Sequence, residues 1–170
     1  MFYYLNSLYF YSLFGFVLES TIYKIHNSNR HSSIFYGPIT MVYGFGVFLL
    51  LIAKKYILDK LSLPLLWKIL IVFITCTFIF TFTEWLGGEI LFRTFNISLW
   101  DYSNKIFHFG KYICLELALI WGLLGTIYIY FVKDFIDNFI ALIPKKLTIS
   151  FLFLNTLDTI FVFINKFPYW

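Results

Sequence analysis

Glutamates stand inside long apolar stretches of this 170-residue chain, where a charge requires a physical reason. They are Glu19, Glu84, Glu89 and Glu116. An ionised side chain in the middle of a membrane costs about 2.5 to 3.5 kcal/mol on insertion scales, so each carboxylate needs a partner, water or an interfacial position. A carboxylate in such surroundings can hold a cation, and burial also raises its pKa, so that it can carry a proton. Cation binding and proton transfer are therefore the chemistry that these residues could perform.

Aromatic residues accompany the acids and extend the candidate site. Because the face of an aromatic ring attracts a cation, acids and aromatic walls together suit a small cationic or polar amphiphilic solute. The candidate substrate-binding residues are Glu19, Tyr36, Tyr43, Glu84, Trp85, Glu89, Arg93, Trp100, Asp101, Tyr102, Glu116 and Trp121.

Some of these residues also have structural interpretations. Glu89 and Arg93 are four residues apart, a spacing that favours an ion pair on one helix face. Asp101 precedes a hydroxyl-rich stretch and suits a turn or a helix cap as well as a site. Glu84 has no basic residue one helical turn away, so a functional role is favoured there.

The elements that carry these residues follow from composition. Hydrophobic residues make up 61% of the chain, aromatic residues 24% and charged residues only 13%, whereas a soluble domain is about one quarter charged. This composition therefore predicts an integral membrane protein. Its net charge of +4 does not indicate nucleic-acid binding, because the basic residues lie between apolar runs, where they can meet lipid head groups.

Apolar stretches of about 20 residues predict transmembrane helices. We expect an all-α membrane protein, forming a single transmembrane helical domain over residues 1–170. The segment 92–111 is too apolar for a solvated loop and too broken for a span, which favours an interfacial or re-entrant segment. The predicted spans cover residues 3–23, 34–53, 69–91, 112–132 and 147–164.

Five spans place the four glutamates in the same half of the membrane. If the N-terminal side is named side A and the opposite side is named side B, the odd spans run from A to B and the even spans return. Glu19, Glu84, Glu89 and Glu116 then all fall in the side-B half. Lysine and arginine divide almost evenly between the sides, and the expectation that side A is cytoplasmic rests on that small bias.

Small residues mark places where helices or a ligand can approach closely. Tyr36 and Tyr43 are seven residues apart, so they should share one face of the second span, and Pro38 suits the first turn of that helix. Helix packing alone explains the glycines about as well as a site does. The structural-motif residues are Gly15, Gly37, Pro38, Gly44, Gly46, Gly87, Gly88 and Gly122.

Familiar catalytic motifs are missing from the sequence. It contains no GxxxxGK[ST] loop, no HExxH, no GxSxG and no GxGxxG, so we expect no ATPase, protease or hydrolase activity in this chain. The cysteines Cys76 and Cys114 show no metal-binding spacing. His26, His31 and His108 are scattered. We name no catalytic residue, metal ligand or cofactor.

The order of several short motifs resembles a known family. Gly15-Phe16-x-x-Glu19, Tyr36-Gly37-Pro38-Ile39, Tyr43-Gly44-Phe45-Gly46, Glu84, Trp100-Asp101-Tyr102-Ser103 and Trp121-Gly122-Leu123-Leu124 together are similar to the Putative ABC-transporter type IV family.

This resemblance covers about residues 9–128. It implies a multi-span protein of the bacterial cell membrane with a permease role, and it names no substrate. A permease of this kind would rely on a separate ATPase subunit. The fifth span lies outside the resemblance. The loop after the first helix, which is usually rich in basic residues in this family, contains few of them here.

Three functions remain open on the sequence. The first is binding or transport of a cationic or polar amphiphilic solute. The second is a non-catalytic subunit whose glutamates pair with basic residues of another membrane chain. The third is a membrane enzyme that acts on a lipid-linked substrate through paired carboxylates. All three expect the carboxylates to converge near side B, among membrane lipids.

Overall fold

A computed structural model describes residues 2–26 and 32–166, and about three quarters of these residues are helical. The prediction of an all-α membrane protein is confirmed. His31, discussed above, lies outside the described residues. The elements are α1 (Phe2–Ile25), α2 (Met41–Tyr56), α3 (Leu65–Phe95), β1 (His108–Phe109), β2 (Ile113–Cys114), α4 (Leu115–Ile127), α5 (Lys133–Ala141) and α6 (Lys145–Lys166).

The long helices run up and down across one bundle. Tyr4 near the start of α1 contacts Phe48 in the later part of α2, whereas Gly15 further along α1 faces Tyr43 near the start of α2. The two helices are therefore antiparallel. The same reasoning makes α2 antiparallel to α3 and α3 antiparallel to α4, while α6 runs parallel to α1. The expected alternation between side A and side B follows from these contacts.

Four helical stretches among the described residues are long and apolar enough to cross a membrane. They are Met41–Lys60, Leu65–Phe95, Leu115–Ala141 and Lys145–Lys166. The remaining predicted span, α1, has 24 residues and is about 36 Å long, which exceeds the apolar thickness of a bilayer of about 30 Å. It is more polar because Asn6, Ser7 and Ser12 lie on its buried face.

The second span begins later than predicted. Residues 34–40 are not helical, and α2 starts at Met41. Proline disfavours helical geometry in the residue before it, and the backbone N–H of Thr40 donates a hydrogen bond to Ser12 of α1 instead (2.9 Å). Tyr36 and Tyr43 therefore do not share a helix face, and Pro38 does not occupy a first helical turn.

The ends of the third and fourth predicted spans also differ from the helix ends in the structure, and local geometry accompanies each difference. α3 is longer than the predicted 69–91, since it starts directly after Pro64 and ends where Asn96 adopts a left-handed conformation with φ 50°. Residues 112–114 precede α4 rather than opening it. The α4 helix continues through a π-helical stretch, Tyr128–Val132, into α5, so this span extends beyond residue 132.

The connection between α3 and α4 is irregular apart from one short hairpin. Its first residues, 92–95, belong to α3, so the irregular segment covers residues 96–114. Within it, β1 and β2 pair in antiparallel fashion, and Gly110 takes the positive φ of 63° that the tight turn requires. This segment, called the side-B hairpin segment below, folds back onto α3.

Candidate functional site

Glu84 is the buried centre of the site. It lies on α3, eleven residues before the end of that helix, which corresponds to a depth of about 17 Å at 1.5 Å per residue. Its side chain is almost enclosed, with the residue 9% exposed. The hydroxyl of Tyr102 donates to Oε1 (2.7 Å), and the indole Nε1–H of Trp121 donates to Oε2 (3.1 Å). Both carboxylate oxygens thus have a neutral donor.

Two glycines of α3 allow close approaches near Glu84, Gly88 by the side-B hairpin segment and Gly87 by α2. A Cβ on Gly88 would lie 2.5 Å from the ring of Tyr112, and one on Gly87 would lie 2.7 Å from Val42 of α2. Because separations below 3.0 Å do not occur, only glycine allows both approaches. The backbone N–H of Tyr102 donates to the carbonyl of Lys111 (2.7 Å), which fixes Tyr102 over Glu84.

Glu19 joins the site from α1. Its Oε1 accepts a hydrogen bond from the hydroxyl of Tyr23, one turn later on the same helix (2.9 Å). The carboxylate of Glu84 acts electrostatically on Glu19, and both carboxylates act electrostatically on Tyr43. That glutamates from different spans converge near side B stays a prediction.

Tyr43 and Trp121 form the aromatic wall between the two acids. Their rings meet edge to face at 5.8 Å between centroids. Tyr43 is seated against Gly15 of α1, where a Cβ would lie only 2.3 Å from the Tyr43 ring. The absence of a side chain at Gly15 is thus what brings α1 and its Glu19 close to the site.

The electrostatics of the two acids differ from those of most other acids in the described residues. Glu89, Glu116, Asp59, Asp134 and Asp137 each form an ion pair with lysine or arginine. Glu19 and Glu84 form no ion pair within the described residues, although both are at least partly buried. Their negative charge is therefore not balanced by a basic side chain of the described chain.

Tyr102 is tuned as a hydrogen-bond donor to this charge. Burial raises the pKa of its phenol well above the ordinary value, and the charge of Glu84 and the hydrogen bond to it raise it further. The hydroxyl therefore keeps its proton at physiological pH and continues to donate to Glu84.

Glu89 and Glu116 do not belong to the buried cluster. Arg93 Nε donates to Glu89 Oε2 (2.8 Å), and the Arg93 side chain is 80% exposed. Lys105 Nζ contacts Glu116 Oε2 (2.8 Å), with both side chains about half exposed. The structural interpretation of the Glu89–Arg93 pair is supported by this geometry, and Glu116 is a surface partner of the side-B hairpin segment.

Asp101 caps a turn. Its Oδ1 accepts the backbone N–H of Ser103 (2.8 Å) and the Ser103 hydroxyl. These hydrogen bonds hold the pKa of the exposed Asp101 carboxyl below its usual range. Of the two interpretations left open by the sequence, the local geometry matches the turn.

The tryptophans divide between the site and its surroundings. Trp100 packs edge to face on Tyr112, 6.1 Å between centroids, and its indole N–H is buried without a hydrogen-bond partner among the described residues. Trp100 lies beside Gly87. Gly87 follows Glu84 by three residues, which is almost one helical turn. Trp85 instead packs against Phe82 of its own helix (6.0 Å).

Tyr36, Gly37 and Pro38 lie in the extended segment before α2 and contact α6 instead of the buried acids. The backbone N–H groups of Tyr36 and Gly37 donate to Asp158 Oδ1 (3.0 Å) and Oδ2 (2.8 Å). Asp158 thus serves as a structural anchor between α6 and this segment.

The remaining motif glycines are packing positions. A Cβ on Gly44 would lie 2.3 Å from the carbonyl oxygen of Leu8 in α1, and one on Gly122 would lie 2.0 Å from Thr77 Oγ1 in α3. Gly46 similarly admits Phe80. These contacts set the distances between helices and so bring the site together indirectly.

Tyr23 and Tyr112 are site residues that the sequence reasoning missed. Tyr23 follows Glu19 by four residues, the spacing of neighbours on one helix face, and this signal could have identified it. Tyr112 had no such signal, because its contact with Gly88 depends on how the side-B hairpin segment folds.

The donor set does not suit a metal ion. The described residues contain no group of three or more histidine, cysteine, aspartate or glutamate side chains that could hold one. The arrangement of two carboxylates, tyrosine hydroxyls and indole rings can instead bind an organic cation or a proton.

Comparison with known proteins agrees with the sequence motifs. A family model described as Putative ABC-transporter type IV matches residues 7–165, and this match includes α6, beyond the motifs noted in the sequence. The comparisons found no matching curated protein and no matching solved structure.

Proposed function

Since the chain belongs to the Putative ABC-transporter type IV family, we propose that it is the membrane component of a transport system and binds a small cationic or polar amphiphilic solute at Glu19 and Glu84. The family and the apolar helices support the membrane and transport part of this statement. The site chemistry supports the choice of solute.

The observation that carries the proposal is the presence of two carboxylates without a basic partner. Glu84 is buried and Glu19 is partly buried, and neither forms an ion pair among the described residues. A charged carboxylate at membrane depth is poorly solvated, so a cation or a proton beside it lowers its energy.

The aromatic wall favours an organic cation over a small hydrated ion. The rings of Tyr43 and Trp121 meet edge to face, with the Trp121 indole on Glu84, and a desolvated cation on an aromatic face gains about 2 kcal/mol or more. The unpartnered indole N–H of Trp100 adds a donor that suits a polar group on the same solute.

Glu84 is covered by the side-B hairpin segment and by α4, through Tyr102 and Trp121. A solute therefore reaches the carboxylate only when one of these two hydrogen bonds opens, and a lysine of a partner chain faces the same requirement.

The energy source would be a separate protein. The sequence carries no phosphate-binding loop, so ATP-driven transport requires an ATPase subunit that binds this chain. We propose such a subunit as the partner.

The proposal is tested by equilibrium binding of tetraphenylphosphonium, an aromatic cation, to the purified chain in detergent. Glu84→Gln keeps the shape of the side chain and removes its charge, so we expect affinity to fall at least tenfold. Glu116→Gln is the matched control, because it removes a carboxylate that already has a lysine partner.

The expected result for the control is affinity within twofold of the native chain. Native-like affinity in Glu84→Gln, with helical content unchanged by circular dichroism, would overturn the proposal. An equal loss in both variants would do the same, since it would indicate a general surface-charge effect.

A further inference from the structure

A groove separates α1 from α6 on the flank of the bundle away from the glutamate site. Its volume is about 840 Å³, which is within the range of small-molecule binding pockets. The two helices meet near side A, where Thr148 donates a hydrogen bond to Asn6, and α6 is tied again near side B by Asp158. Between these two ties the helices stand apart.

The lining of this groove is almost entirely apolar. Leu13 of α1 and Leu154 and Phe161 of α6 are among its lining residues, and Tyr9 stacks on Phe151 at the end toward side A (6.1 Å between centroids). The amide oxygen of Asn155 is buried without a hydrogen-bond partner among the described residues. Water is a poor occupant of such a space, because a stable buried water needs two or more polar partners.

The position of the groove between two long apolar helices indicates which class of molecule fits it. It lies between two helices of membrane-spanning length, at the depth of the hydrocarbon. Its lining runs along α6 from Phe151 to Asn165, about 21 Å, and so reaches the side-B end of that helix. This apolar lining suits an acyl chain that enters from side B.

A basic residue stands at the side-B mouth. The Lys166 Nζ lies 5.0 Å from the centre of the Tyr36 ring, next to the lining residue Asn165. The Lys166 Nζ also donates to the carbonyl of Ile34, and the carboxylate of the lining residue Asp158 accepts hydrogen bonds from the N–H groups of Tyr36 and Gly37. A phosphate at this mouth would meet the lysine at the height where lipid head groups begin.

We propose that this groove is a specific binding site for one phospholipid of the side-B leaflet, with an acyl chain between α1 and α6 and the phosphate beside Lys166. The site is separate from Glu19 and Glu84, so it holds or fails independently of the solute-binding proposal. A second copy of this chain is the competing occupant, and an intermolecular disulfide through a cysteine placed in the groove would reveal it.

Native mass spectrometry of the detergent-purified chain, titrated with palmitoyl-oleoyl-phosphatidylglycerol, tests the proposal. We expect one lipid to bind saturably per chain. Leu154→Trp and Leu13→Trp fill the groove from opposite walls and should each weaken binding at least tenfold. Lys166→Gln should weaken it about fivefold. Leu123→Trp is the matched control, because Leu123 on α4 is exposed outside the groove.

Saturable binding that is lost in the two groove variants and kept in Leu123→Trp supports the site. Equal lipid binding by all variants, or no retained lipid on the native chain, overturns it. A dimer that forms an intermolecular disulfide through Leu154→Cys would also overturn it, because a second copy would then occupy the groove.

Discussion

At the scale of single residues, the hydrogen bonds to Glu84 are as informative as the acid itself. Glu84 receives one donor from Tyr102 and one from Trp121, and each comes from a different element. A buried acceptor that loses its partner keeps the cost of desolvation, which is roughly 1 to 3 kcal/mol. The two donors should therefore contribute to stability as well as to the shape of the site.

Tyr102→Phe removes only the hydroxyl that donates to Glu84. We expect the variant to lose roughly 1 to 3 kcal/mol of stability, because Oε1 remains buried without a donor. Thermal unfolding in detergent measures this loss. Tyr130→Phe is the control, since Tyr130 is 40% exposed. Identical melting temperatures for the two variants would contradict the role assigned to Tyr102.

Asp158 holds the segment before α2 by accepting hydrogen bonds from backbone N–H groups. Asp158→Ala should free the N–H groups of Tyr36 and Gly37 and loosen the segment before α2. We expect hydrogen exchange at these two amides to accelerate at least tenfold, while Asp134→Ala, which removes a 98% exposed side chain, leaves them unchanged. Unaltered protection in Asp158→Ala would show that the segment is held by other contacts.

At the scale of elements, the distances between helices depend on glycine. Gly44→Ala would place a Cβ 2.3 Å from the carbonyl oxygen of Leu8 and push α1 away from α2. We expect a loss of about 1 to 3 kcal/mol, typical of overpacking, measured by thermal unfolding. Leu49→Ala on the exposed side of the same helix is the control. A native-like Gly44→Ala variant would mean that the two helices separate freely.

Composition and apolar length predicted the helices well, because the bilayer imposes both on any span. They did not predict that residues 34–40 leave the helix, since that depends on the hydrogen bonds of Thr40 with α1 and of Asp158 with the segment. Seven-residue spacing between Tyr36 and Tyr43 was therefore misleading.

The site was predictable in part for a related physical reason. The depth of a glutamate follows from its place in a span, and this places Glu19 and Glu84 in the side-B half as a prediction. Whether a carboxylate is buried or paired depends on distant partners. Lys105 reaches Glu116 only because the side-B hairpin segment folds back, and no local pattern indicates this.

At the scale of the whole molecule, the alternation of helices fixes which loops share a side of the membrane. Residues 58–64 should lie on side A and the hairpin turn near Phe109 on side B. With side A cytoplasmic, a membrane-impermeant maleimide added to intact cells should label Phe109→Cys and spare Leu63→Cys; both side chains are exposed. Labelling of Leu63→Cys alone would invert the orientation, and labelling of both would contradict the alternation itself.

The central claim is that an organic cation occupies the space between Glu19 and Glu84. Photoaffinity labelling with an aryl-azide phosphonium, followed by peptide mapping, tests it most directly. The account predicts label on the peptides that carry Tyr43, Tyr102 and Trp121, competed away by excess tetraphenylphosphonium and absent in Glu84→Gln. Label confined to the groove between α1 and α6 or to outward-facing helix surfaces, with none on those three peptides, would contradict it.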